Sequence, residues 1–105
     1  MTSLSTHVLD TGSGLPAVGI DVVVEKLVDG DWIGHGEGTT DVNGRIVGFS
    51  TGFGSGTYRI RFDTGAYGNP FYPEVAITVF LDGEEDHYHV PLLLSPYGFS
   101  TYRGT

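Results

Sequence analysis

The chain has four histidines and five basic residues. Besides its carboxylates, these groups could move protons or grip an anion near neutral pH. His7 sits in Ser-Thr-His-Val-Leu-Asp. Strand alternation puts Ser5, His7 and Leu9 on one face, with Thr6 and Val8 on the other. The plain reading of a lone strand histidine is a surface or hydrogen-bonded residue. His87 and His89 share a strand face, and Tyr88 and Val90 share the opposite one. His-x-His on a strand is one route to a metal site, with a third ligand such as His7 from elsewhere. A plainer alternative pairs His87 with Glu85 or Asp86. A polar pair entering the apolar 90–94 run needs hydrogen-bond partners if it is buried. Arg45 follows Asn43-Gly44 and opens a strand, where an exposed edge cation is its ordinary reading. Arg59 and Arg61 alternate with apolar residues and read as a solvated face, and His35, among glycines, reads as exposed. Arg103 lies in the closing Tyr102-Arg-Gly-Thr105, where a frayed polar tail would be ordinary.

Composition excludes several other chemistries. There is no cysteine, hence no disulfide, thiolate zinc site or cysteine nucleophile. A formal charge of −8 offers no basic stripe for nucleic acid or for an anionic membrane surface. No apolar run approaches the roughly 20 residues of a spanning helix. The opening MTSLSTHVLD lacks the basic and apolar regions of a leader, so a soluble, cytoplasmic protein is expected. No G-x-S-x-G elbow is present. The stretches GHGEG and GFGSG lack the following helix of a nucleotide site and read as strand and loop glycines.

The elements that must position these residues are strands. Glycine is abundant, and β-branched and aromatic residues come in short runs between turn signals. Expected strands cover 5–9, 20–28, 32–39, 45–49, 57–63, 75–81, 87–94 and 99–104. In the second, Val22 and Val24 face one way, and Val23 and Glu25 the other. In the fifth, Tyr58, Ile60 and Phe62 alternate with polar residues at a period of two. Asp41-Val-Asn-Gly44 is a tight turn, because Asn-Gly tolerates positive φ. Residues 51–56 read as a Gly/Ser loop, 65–73 as a loop too rich in glycine and proline for a sustained helix, and 82–86 as an acidic turn. About eight short strands in 105 residues predict an all-β, two-sheet sandwich forming a single domain over 1–105.

Four blocks of sequence carry a resemblance. Leu4-Ser-Thr-His-Val-Leu-Asp10 with Gly14-Leu-Pro-Ala17, Thr39-Thr-Asp-x-Asn-Gly-Arg-Ile46, His87-Tyr-His-Val-Pro-Leu-Leu-Leu-Ser-Pro-Tyr97 and Tyr102-Arg-Gly-Thr105 occur in that order. Together they resemble the transthyretin-related 5-hydroxyisourate hydrolases nearly from end to end. The resemblance implies a transthyretin-like sandwich of two four-stranded sheets. It also implies a homotetramer, a dimer of dimers with sites at the dimer–dimer interface in a central channel. The implied reaction opens the six-membered ring of 5-hydroxyisourate to give 2-oxo-4-hydroxy-4-carboxy-5-ureidoimidazoline in urate breakdown. No metal or organic cofactor is implied. Carried over by position, His7, Arg45 and His89 are catalytic, and His7, Arg45, Tyr102, Arg103 and Thr105 bind substrate. His87 supports His89. Two departures stand out. Thr105 replaces the family's usual serine, keeping the hydroxyl and α-carboxylate. The stretch around 65–72 is shorter than usual, so the small helix there is short or absent.

Such a ring opening needs a base for water, a proton for the leaving nitrogen and a stabiliser for oxyanion charge. His7 or His89 would be the base and the other histidine would orient substrate or return the proton. Arg45 and Arg103 would grip carbonyls or the anionic substrate. The rate should fall as the base protonates, near the unperturbed value of about 6.5. The alternatives are a transthyretin-like channel that binds a small ligand without catalysis, a metal-dependent hydrolase on His7, His87 and His89, and a structural sandwich domain.

Overall fold

The computed structural model describes residues 2–49 and 52–105. Thr51, the first residue of the expected 51–56 loop, lies outside the described residues. The elements in chain order are β1 (Ser3–Asp10), β2 (Leu15–Pro16), β3 (Asp21–Val28), β4 (Asp31–Thr39), β5 (Arg45–Ile46), β6 (Gly56–Phe62), α1 (Thr64–Tyr67), β7 (Val75–Leu81), β8 (His87–His89), β9 (Leu92–Ser95) and β10 (Gly98–Thr101). No helix is long and apolar enough to cross a membrane among the described residues.

Two sheets pack face to face. One runs β4-β3-β6-β7, all antiparallel. The other is also four strands wide, because two of its lines are each made of two short strands. β10 pairs β9, β8 and β9 both pair β1 in parallel, and β5 and β2 line the far edge of β1. Between the sheets lie Val22 and Val24 of β3 and Tyr58, Ile60 and Phe62 of β6, with Leu4 and Val8 of β1 and Leu92 and Leu94 of β9 opposite, all buried. Each such side chain contributes about 1.5–3 kcal/mol by leaving water. The expected period of two in β3 and β6 is therefore the core itself.

Several expected elements differ in detail. The strand expected over 87–94 is two strands. Pro91 has no N–H to donate, so the ladder breaks there. Yet Ser5 faces His89 and Val8 faces Leu92 with the same offset along the chain, so the register survives the break. The strand expected over 45–49 is only Arg45–Ile46. β10 ends at Thr101 rather than 104, since the chain then crosses from β9 to β8 and Gly104 bridges His89. The helix is the short one, a single turn. The Asp63 side chain caps its start by accepting from the Ala66 N–H, and left-handed Gly68 ends it. His35, expected to be exposed, is half-buried. It is the extra residue of a bulge, since Val24 faces Gly36 while Glu25 faces Gly34. Its ring lies 4.7 Å from that of Phe53 and 5.3 Å from that of Tyr58. Arg59 and Arg61 face outward as expected, but they are tied down. Both pair with Glu25, Arg61 also pairs with Glu74, and Arg59 lies over Trp32 at 4.4 Å.

Candidate active site

Register places the chemistry. β1 is the central strand, and its Ser3 and Ser5 stand opposite His87 and His89 of β8. On its other side, His7 stands opposite Arg45 of β5. Residues directly opposite in a ladder share a face, so Ser3, Ser5, His7, Arg45, His87 and His89 all project from the outer face of this sheet. The intervening residues Leu4, Thr6, Tyr88 and Ile46 are buried. Strand alternation thus sorts the catalytic candidates from the core.

Arg45 is delivered by a built turn. The Asp41 carboxylate accepts from the N–H groups of Asn43 and Arg45 at 2.9 and 3.0 Å. Those two bonds, Arg45's first, hold the Asp41 carboxyl below the usual carboxylate range, with the nearby charges of Arg45 and His7 adding to the effect. Gly44 has φ +73°, and a Cβ there would collide with the Val8 carbonyl oxygen. That oxygen accepts from Ala17, and the Val8 N–H donates to Gly44. Only glycine lets the turn lie this close to β1.

The histidines of β8 are joined through serine hydroxyls. Ser3 Oγ lies 2.5 Å from His87 Nδ1, Ser5 Oγ lies 2.7 Å from His87 Nε2, and the same oxygen lies 2.8 Å from His89 Nδ1. His87 is therefore not paired with Glu85 or Asp86. Burial lowers the pKa of His89, and the neighbouring His7, His87 and Arg45 lower it further. Its Nε2 has no protein partner among the described residues, so a neutral ring with its proton on Nδ1, donating to Ser5, has a lone pair to offer there.

The tail completes the walls. The Gly104 N–H donates to the His89 carbonyl at 2.8 Å. A Cβ on Gly104 would sit 2.6 Å from His89 Cδ2, so the backbone lies directly on the imidazole edge. A cavity of about 270 Å³ is lined by Ser5, Thr6, Arg45, Val47, His87, His89 and Thr105. A neighbouring cavity of about 460 Å³ runs past His87 to Glu85, Arg103 and Thr105.

The expected residues are thus gathered unevenly within one chain. Arg45, His89 and Thr105 meet in the first cavity, and His87 belongs to both. His7 stands in the next row, beside Arg45, and acts on His89 through its charge. Arg103 points to Glu85 at 3.5 Å and lies over the Tyr88 ring at 5.3 Å. Tyr102 faces a separate apolar groove that also holds Leu81 of β7 and Val90. Among the described residues, no three His, Asp or Glu side chains converge as a metal site would require. Sequence reasoning missed Ser3 and the role of Ser5. Alternation gives the shared face of Ser3, Ser5 and His7 on one strand and of His87 and His89 on another, but only the parallel pairing of the two strands makes them partners.

This sandwich, with its polar outer face on one sheet, defines a β-sandwich protein of the transthyretin type. The HIUase/Transthyretin family profile matches residues 4–104. A 5-hydroxyisourate hydrolase from Salmonella dublin is 42% identical over 97% of this chain and 80% of that protein. The structure of Klebsiella pneumoniae 5-hydroxyisourate hydrolase superposes with a TM-score of 0.86 at 33% identity, covering 98% of this chain and 99% of that one. Sea bream transthyretin, solved in complex with thyroxine, superposes with a TM-score of 0.91 at 32% identity, covering 98% and 95% of the two chains. The chain belongs to the HIUase/Transthyretin family.

Proposed function

We propose that this protein is a 5-hydroxyisourate hydrolase of urate degradation. The observation that carries this reading is the row Ser5–His89 and His7–Arg45, set by strand register on one open face. The relative from Salmonella dublin and the structure from Klebsiella pneumoniae bear that activity in their names. Sea bream transthyretin shows that the same sandwich also serves a protein that binds thyroxine, so the polar row is what favours the enzyme here.

In this reading His89 Nε2 takes a proton from water, and the hydroxide attacks the ring amide carbonyl of 5-hydroxyisourate. Arg45 stabilises the oxyanion with its paired N–H donors. The proton returns from His89 to the leaving nitrogen as the ring opens to 2-oxo-4-hydroxy-4-carboxy-5-ureidoimidazoline. His7 binds and orients the substrate beside Arg45. Thr105 closes the site, Arg103 lines the neighbouring cavity, and His87 supports His89 through Ser5. The working form is a cytoplasmic homotetramer, a dimer of dimers in which two such open faces enclose each pair of sites. The chain serves as a single domain over 1–105. The exposure of Val47 beside Arg45, 74% in one chain, supports an assembled face.

The test follows the ultraviolet absorbance of fresh 5-hydroxyisourate, made in place from urate by urate oxidase, with and without the protein. The substrate also decays unaided, so His7→Ala is run alongside. Faster decay that falls by about 10²-fold or more in the variant supports the reading. No acceleration by folded protein overturns it and makes the ligand-binding channel the reading to pursue.

A further inference from the structure

We propose that Ser5 and His87 form a proton wire that carries the proton taken up by His89 to the exposed ring of His87 and back within each turnover. The wire rests on the hydrolase reading above and adds to it where the charge of the reaction is held.

The geometry leaves the serine little choice. Ser5 Oγ stands between His87 Nε2 at 2.7 Å and His89 Nδ1 at 2.8 Å. A hydroxyl carries one proton, so it donates to at most one of the two rings, and when it donates to one it accepts from the other. The tautomers of the two histidines are therefore tied. In the base-ready arrangement, His89 Nδ1–H donates to Ser5 and Ser5 donates to His87 Nε2. His87 Nδ1–H then donates to Ser3, whose hydroxyl lies 3.5 Å from the Asp86 carbonyl. His89 Nε2 is left with its lone pair.

When water attacks, its O–H bond breaks and a His89 Nε2–H bond forms. His89 Nδ1–H passes to Ser5 Oγ, and the former Ser5 proton forms a bond to His87 Nε2. The result is a neutral His89 and an imidazolium at His87, balanced by the oxyanion. Collapse of the intermediate runs the same transfers backward, and the leaving nitrogen takes the proton from His89 Nε2. No proton is lost or gained over the cycle.

The surroundings favour this export. His89 is half-buried, with the cation Arg45 and the rings of His7 and His87 around it, and all of these oppose a charge there. His87 is exposed and follows the acidic stretch ending in Glu85 and Asp86; Arg103 is the opposing cation, and Glu85 is already paired to it. The larger cavity borders His87 together with Glu85 and Arg103 and opens to solvent.

The experiment combines two readouts on the full chain for wild type, Ser5→Ala and His87→Gln. The first is ring ¹⁵N NMR of the histidines across pH, which needs no substrate. In wild type the His89 Nδ1 signal should respond as His87 protonates, and in Ser5→Ala the two rings should titrate independently. The second is turnover of 5-hydroxyisourate in mixtures of light and heavy water. Wild type should give a bowed dependence on deuterium fraction. Ser5→Ala and His87→Gln should give a straight one, with kcat lower on the order of 10²-fold and KM unchanged. Unchanged ring titrations in Ser5→Ala, or wild-type kcat with a bowed dependence in both variants, overturn the wire. If wild type turns over no 5-hydroxyisourate, the hydrolase reading fails alone, and the ring titrations still decide whether Ser5 couples the histidines.

Discussion

His89 has a conflict built into it. A base must accept a proton, yet burial and the charges of His7, His87 and Arg45 all oppose its cation. The outcome follows from the sign. A lowered pKa keeps the ring neutral to lower pH, so the proposed base is available at neutrality and is lost only as pH falls through the lowered value. The acid limb of kcat/KM should lie below the ordinary value of about 6.5. Arg45→Ala should move the His89 titration, read by NMR, back upward by removing one cation. A limb at or above the ordinary value would remove His89 from the role of base. Residue type alone would place the limb near the ordinary value, whichever histidine is the base. Residue type gives an intrinsic pKa, but the shift comes from neighbours brought together from distant parts of the chain.

At the scale of elements, what the sequence made legible depends on distance along the chain. Period-two alternation is local, so the inward faces of β3 and β6 and the shared face of His87 and His89 could be read directly. The turn at Asp41–Gly44 could be read for the same reason. The partner of β8 could not. It pairs in parallel with β1 across most of the chain, and nothing in either segment names the other. Hence alternation alone does not make Ser3 and Ser5 partners of the histidines. The tail shows the same limit. Its last residues looked like a strand, but they leave β9 to lay Gly104 against the His89 ring. Gly104→Ala should force either that ring or the tail aside. We expect kcat/KM to fall by about 10²-fold, the scale of a misplacement of about 1 Å, with little change in thermal unfolding because the tail is peripheral to the core. Full activity in Gly104→Ala would detach the tail from the site.

For the whole molecule, charge and assembly pull in different directions. A chain of net charge −8 repels its own copies as well as anionic substrates. Arg45 sets a local field that the total charge does not reveal. One chain also leaves Val47, Phe80, Tyr97 and Tyr102 exposed at 74%, 68%, 75% and 58%. Assembly would cover such residues, and Val47 lies on the face that carries the site. Sedimentation equilibrium should report four chains. Val47→Lys should reduce that number and lower kcat/KM along with it, because it places a cation on the proposed contact between paired faces. A variant that is fully active as a smaller species would show that the site is complete without assembly.

The alternation of His87, Tyr88 and His89 has a consequence for how such a chain can change over time. The Tyr88 ring is buried, and its hydroxyl donates to Asp82 and accepts from the N–H groups of Gly83 and Glu85. Gaining or losing one residue between this anchor and Pro91 would put β8 and β9 out of phase, so that either the histidines turn inward with Tyr88 outward or Leu92 and Leu94 turn outward. Descendants can therefore exchange residue types along this stretch, but they cannot alter its length without giving up either the polar row or the core behind it. The segment after β6 has no such tie to the histidines, and length variation there leaves the polar row in place.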